Sequence, residues 1–150
     1  MKKTVIAIFL IFALLATFTA CSPKDPITKD TFIQQMEADG YEMVDISDQY
    51  DSTVITSATI ALKDDYQVEF YEFSKESDAS AAFANQQAAL EPMSGGASTF
   101  SSTAANYSKY QLTTSDTFYA ASRVGSTMIY AEVPKEMKGD VNTRLEALGY

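Results

Sequence analysis

TFYAASRVGSTMIYAEV, residues 117–133, decides the fold. Two runs rich in aromatic and β-branched residues, Thr117–Arg123 and Thr127–Val133, flank Val124-Gly125-Ser126. Alternation with a period of two, broken by a short Gly-containing connection, predicts an antiparallel hairpin. Phe118, Ala120, Ile129 and Ala131 fall on one face, and Tyr119 and Tyr130 on the other. The same pattern occurs upstream. Val54–Leu62 and Tyr66–Phe73 lie either side of the turn Lys63-Asp64-Asp65. There Tyr66, Val68 and Phe70 share one face, and Gln67, Glu69 and Tyr71 the other.

Helical signals surround the hairpins. Thr28 is a predicted N-cap, Asp30 favours the first turn, Phe32, Ile33 and Met36 form a stripe, and Gly40 stops a helix over 28–39. Tyr41–Val44 reads as a short strand and Asp45–Ser52 as an acidic loop. Ser74 or Ser77 caps a second helix running to Leu90, with Ala79, Ala82, Phe83, Ala89 and Leu90 as its stripe. The stretch PMSGGASTFSSTAA, residues 92–105, has almost no periodicity and reads as a mobile loop. Tyr107–Leu112 reads as a strand. Pro134 opens a last helix with Met137, Val141, Leu145 and Leu148 as its stripe. Glu72-Phe73-Ser74-Lys75-Glu76 echoes Glu132-Val133-Pro134-Lys135-Glu136, which suggests a ββα unit used twice. The expected architecture is one α+β domain over 28–150, a two-layer sandwich. Its antiparallel sheet has about five to six strands with the helices on one face, ferredoxin-like or TBP-like by analogy.

Composition narrows the chemistry. The chain has 150 residues, no His, no Trp and one Cys, with 11 basic against 20 acidic side chains. Without His there is no imidazole base and no Ser-His-Asp or Cys-His site. One Cys makes neither an intrachain disulfide nor a thiolate zinc cluster. A net charge of −9 argues against nucleic-acid binding.

Residues 1–20 carry Lys2 and Lys3 and no acid, and Val5–Ala16 is wholly apolar. A basic start, an apolar stretch and small residues before a cut are the pattern of a secretory signal. An uncleaved membrane anchor, or an ordinary signal cut after Ala20, would share the first two features. Phe18-Thr19-Ala20-Cys21 resembles the lipobox of bacterial lipoproteins, with Phe18 where Leu is usual. The resemblance implies that residues 1–20 are a lipoprotein signal peptide and that Cys21 receives a diacylglyceryl group. Residues 21–27 would then be a lipidated tether, with Ser22–Pro26 reaching on the order of 15–20 Å. Loss of Lys2 and Lys3 leaves nine basic against twenty acidic side chains, or −11, a body repelled by anionic headgroups. Tyr66–Glu72, Asn106–Tyr110 and Leu148-Gly149-Tyr150 are similar to small lipoproteins of Clostridia-type bacteria, a group with no activity to carry over. Together the resemblances place the protein on the outer face of the cell membrane. In a two-membrane host, Ser22 after Cys21 would favour the outer membrane.

No Ser-x-x-Lys, G-x-S-x-G or phosphate-loop pattern occurs. Asp45, Asp48 and Asp51 recur every three residues, but without the Gly-containing calcium-loop pattern they read as a solvated face. No catalytic residue, metal ligand or cofactor is expected. The sharper expectation is a binding face: Tyr71, Tyr119 and Tyr130 on one side of the sheet with Glu69, Arg123 and Glu132. Tyr with Arg is the composition favoured at binding hot spots, although Tyr is also common on exposed strands. The sequence therefore predicts a membrane-anchored, non-catalytic module that binds an envelope protein or a small ligand, with no nucleic-acid partner. The alternative is a small carboxylate-based envelope hydrolase or a divalent-metal-binding protein.

Overall fold

The structure is a computed structural model that describes residues 23–64 and 66–150. The expected signal segment, Phe18, Cys21 and Asp65 of the expected turn lie outside the described residues.

Seven strands form one antiparallel sheet in the order β1-β2-β3-β7-β6-β5-β4. The strands are β1 (Glu42–Asp45), β2 (Ile55–Lys63), β3 (Tyr66–Phe73), β4 (Ser98–Ala104), β5 (Tyr107–Thr113), β6 (Thr117–Val124) and β7 (Thr127–Pro134). Among the described residues the α-helices are α1 (Lys29–Ala38), α2 (Glu76–Leu90) and α3 (Lys138–Ala147). The chain builds two meanders, β1-β2-β3 and β4-β5-β6-β7. They join edge to edge where β3 pairs with β7, in a register that sets Glu69 opposite Tyr130. Both predicted hairpins are present. Gly125 turns the second one with a φ of 54°, in the left-handed region that favours glycine.

The helix signals act as read in α1. Thr31 N donates to the Thr28 hydroxyl at 3.3 Å, and Gly40, with a φ of 82°, ends the helix as Tyr41 N donates to Met36 O. Phe32 and Met36 are buried, and Phe32 stacks on Phe70 with ring centroids 4.9 Å apart. α3 buries Val141 and Leu145 on the same side of the sheet, against a core that holds Val68, Phe70, Phe118, Ala120, Ile129 and Ala131. α2 starts without a side-chain cap, because Ser74 donates instead to Thr53 O at 2.7 Å. Ala89 of its expected stripe faces solvent.

Three expectations need correction. The sheet has seven strands rather than five to six, because residues 98–104 pair along the whole of β5. Their side chains are almost all exposed, so β4 carries no hydrophobic period; its order comes from ladder hydrogen bonds. The helices also lie on both faces. α2 packs with Phe73, Tyr110, Leu112, Ala121 and Met128, opposite the side taken by α1 and α3. This is a three-layer arrangement rather than the two-layer ferredoxin-like or TBP-like sandwich. The ββα echo fails for the same reason: Phe73 belongs to the α2 core and Val133 to the α1/α3 core, so the helices after the two hairpins cross opposite faces.

The expected tether is docked. Lys24 N donates to Asn106 Oδ1 at 2.9 Å, Asn106 Nδ2 returns a bond to Lys24 O at 2.7 Å, and Lys24 Nζ reaches Gly149 O at 2.8 Å. Ile27 packs against the α1/α3 core. The chain from Lys24 onward therefore belongs to the domain.

Candidate functional site

The candidate residues sit on the α2 side of the sheet. In β3, alternation puts Glu69, Tyr71 and Phe73 on that face, and in β7 it puts Met128 and Tyr130 there. The register brings Tyr71 beside Met128 and Glu69 beside Tyr130. α2 crosses above them on small residues. Ala79 is buried against the sheet, and Ala82, too short to fill the space below it, leaves a gap. The gap is a hollow of about 170 Å³ lined by Tyr50, Ile55, Glu69, Tyr71, Phe73, Ala82, Gln86, Met128 and Tyr130.

Tyr50 arrives from the segment read as a solvated acidic loop; Asp45, Asp48 and Asp51 are indeed exposed, and the backbone between them is strapped down. Asp45 belongs to β1, and Ser47–Gln49 make a short 3-10 turn. Ser47 N donates to Asp45 Oδ1 at 2.8 Å, and Ala58 N donates to Ser47 Oγ at 2.9 Å. Asp51 Oδ1 accepts from Thr53 N at 2.9 Å and from its hydroxyl at 2.7 Å. These bonds hold Tyr50 over Tyr71, with ring centroids 5.8 Å apart and planes at 90°. Phe73 adds a third ring, 6.3 Å from Tyr71 and tilted by 40°.

The polar groups of the hollow are ordered. Tyr71 donates to Glu69 Oε2 at 2.6 Å, and Gln67 Nε2 donates to Glu69 Oε1 at 2.6 Å. Tyr130 donates to Glu132 Oε2 at 3.3 Å. Burial, followed by the bond to Glu69, holds the Tyr71 phenol well above the usual tyrosine range. Burial and the neighbouring Glu132 do the same for Tyr130. Both are neutral hydroxyls at any physiological pH.

Of the six residues expected on the binding face, Glu69, Tyr71 and Tyr130 line the hollow. Glu132 stands beside it and bonds Tyr130. Tyr119 lies across from Glu132 in the β6–β7 register, half-buried at the margin of the α2 core. Arg123 shares the face but is 5% exposed. Its Nη1 donates to Glu76 Oε1 at 3.0 Å and to Gly125 O at 3.1 Å, so it fastens the first turn of α2 and offers no free cation to a partner. An exposed hot-spot arginine is thus corrected to a helix fastener. The reason is the helix on this face, which period-two alternation does not reveal. The sequence reading missed Tyr50, Ile55, Phe73, Ala82, Gln86 and Met128. Its one available signal was Tyr50, the single aromatic between residues 45 and 52.

A second, more open hollow of about 600 Å³ lies at the opposite end of β3, lined by Glu42, Leu62, Lys63, Asp64, Tyr66, Gln67 and Glu132. Its three acids are exposed. Among the described residues no group of three or more His, Cys, Asp or Glu is placed to hold a metal ion, and no helix is long and apolar enough to cross a membrane.

The class these features define is an antiparallel α+β domain with helices on both faces and an aromatic-walled hollow under α2. No protein family, curated protein or solved structure matches the chain.

Proposed function

We propose that the protein is a lipid-anchored, extracytoplasmic, non-catalytic binding module, and that the hollow under α2 is where it binds. The observation that carries the binding reading is the wall of Tyr50, Tyr71 and Tyr130 around a space that the described side chains leave unfilled. Tyrosine supplies a large contact area at a low entropic cost, and such sites combine an apolar lining with a few fixed polar groups. The anchor reading rests on the basic start, the apolar run and Cys21 after Ala20. With Lys24 docked, only Ser22 and Pro23 separate Cys21 from the domain. A lipidated Cys21 would hold the body within on the order of 10 Å of the bilayer, nearer than a free tether would allow. The end bearing Asn106, Gly125 and Gly149 would face the lipid.

The tests are separate. Cells fed radioactive palmitate should label the protein, and Cys21→Ser should abolish the label; persistent labelling defeats the anchor. The exported chain carrying Cys21→Ser should give small-molecule hits in a ligand-observed NMR screen, and Tyr71→Leu should remove them. Hits insensitive to that change defeat the hollow as the site. The competing reading, a carboxylate hydrolase, would use the open hollow of Glu42, Asp64 and Glu132. Envelope glycan cleavage lost in Glu132→Gln would replace the binding proposal.

A further inference from the structure

The hollow has the chemistry of a cation site, and this step rests on the binding reading just given. Among the described residues its only charged lining side chain is Glu69, and no Lys or Arg lines it. Four aromatic rings, those of Tyr50, Tyr71, Phe73 and Tyr130, line it, and those of Tyr50 and Tyr71 meet at right angles. The negative faces of such rings attract ammonium groups, with Ile55 and Met128 suited to the alkyl part of the ion. An anion would meet the Glu69 carboxylate with only neutral donors, Gln86 and Tyr50, to offset it. The Tyr71 proton is already given to Glu69 and the Tyr130 proton to Glu132.

A second observation is independent of the first. Elsewhere the chain places its own cations over three rings. Lys24 Nζ lies 3.8 Å from the Tyr107 centroid, Lys63 Nζ 5.1 Å from that of Tyr41, and Lys138 Nζ 5.4 Å from that of Phe118; Arg144 also faces Tyr41. Among the described residues, no such cation faces Tyr50, Tyr71 or Tyr130. Arg123, a cation on this face, is held by Glu76 and Gly125. A cation from outside would therefore displace none of the chain's own from the rings under α2. A space of about 170 Å³ encloses a small head group and not a peptide or a glycan.

We propose that the hollow binds a small organic ammonium ion, held by the rings that line it, Tyr50 and Tyr71 among them, and by the carboxylate of Glu69. The test titrates the exported chain carrying Cys21→Ser with choline, with protonated ethanolamine, and with dimethylbutanol, the neutral carbon isostere of choline. Two-dimensional NMR follows the amides of Tyr50, Tyr71 and Tyr130. An ammonium ion should shift these amides, the isostere should bind roughly tenfold more weakly, and Glu69→Gln should weaken the ammonium by about the same factor with its far-UV spectrum unchanged. Tyr71→Leu is the second variant, should Glu69→Gln fail to fold. Equal binding of the isostere overturns the cation and leaves the hollow as an apolar site. Screening hits in the hollow without any response to either ammonium have the same meaning. No response to any of these probes, together with an empty screen, overturns both readings. Vesicles of phosphatidylcholine identify the source: if they displace choline it is a lipid head group, and if they do not it is a free ion.

Discussion

On the α1/α3 face, Phe32 stacks on Phe70, Leu145 and Val141 pack beside them, and the core is closed, with Met43 and Tyr107 partly buried at its margin. On the α2 face the same sheet is covered by one alanine-rich helix, and Tyr50, Tyr71 and Tyr130 stand half-exposed around a gap. Both faces carry aromatic rings at comparable spacing. The difference lies in what meets them. Two helices bring Phe, Met, Leu and Val to the first face, and one helix brings Ala to much of the second. Close packing of large side chains is thus concentrated on one side, and the other keeps an unfilled, polar-edged space.

The largest effect should come from adjacent residues that point to opposite sides. Phe70→Ala empties a fully buried site and should cost roughly 3–5 kcal/mol in urea unfolding. Tyr71→Leu keeps apolar contact next to an existing gap and should cost less than about 1.5 kcal/mol. Equal losses would break the comparison and make the tyrosines packing residues. Next in size is the fastener. Arg123→Met keeps the aliphatic stem and releases Glu76, whose side chain is 56% exposed and hydrates freely. The loss should be about 1–2 kcal/mol, with faster amide exchange confined to the first turn of α2. Faster exchange in α1 or α3 would show that the two faces are not independent.

Tyr150 sharpens the contrast from the closed side. Burial pushes its phenol up to about 12 from 10.0, although its bond to the Thr127 hydroxyl acts the other way. A raised folded value means that stability is complete below 10.0 and is lost as pH rises toward about 12. The urea midpoint should fall over that window, and fall less in Tyr150→Phe. Tyr71 and Tyr130 titrate in the same direction, so part of the alkaline loss should survive in the variant.

Strand and helix positions were legible wherever a side-chain period existed. The alternation of Tyr66–Phe73 and Thr117–Val133 located the hairpins, and Thr28 and Gly40 located α1. β4 was not legible, because Ser98–Ala104 is exposed on both sides and owes its order to backbone pairing with β5. Which face each helix covers was not legible either. β6 and β7 are apolar enough on both faces for either to be buried, so Ala121 and Met128 gave no sign of a helix above them. The candidate site was half legible for the same reason. Period two placed Glu69, Tyr71 and Tyr130 together, but exposure was inferred for Arg123 where a salt bridge to α2 decides the outcome. Tyr50 comes from a loop whose path depends on Ser47 bonding across to Ala58, a contact that residue order does not encode.

The smallest effect tests how the loop that carries Tyr50 is held. Asp45, at its base, pairs with Lys29 of α1 and accepts from Ser47, and these bonds hold its carboxyl well below its ordinary 3.8. A lowered folded value means that the stabilisation is present above 3.8 and is lost as pH falls below it toward the folded value. The side chain is 55% exposed, so solvent screening should keep the contribution under about 1 kcal/mol. Asp45→Asn should flatten the acid limb of the stability curve by no more than this. Its effect on ligand should be larger than its effect on folding, because it loosens the strap that sets Tyr50 at a right angle to Tyr71. If Asp45→Asn leaves ammonium affinity untouched while Tyr50→Ala lowers it, the loop is held by Ser47 and Asp51 alone. If neither matters, Tyr50 is not part of the wall and the open face reduces to β3 and β7.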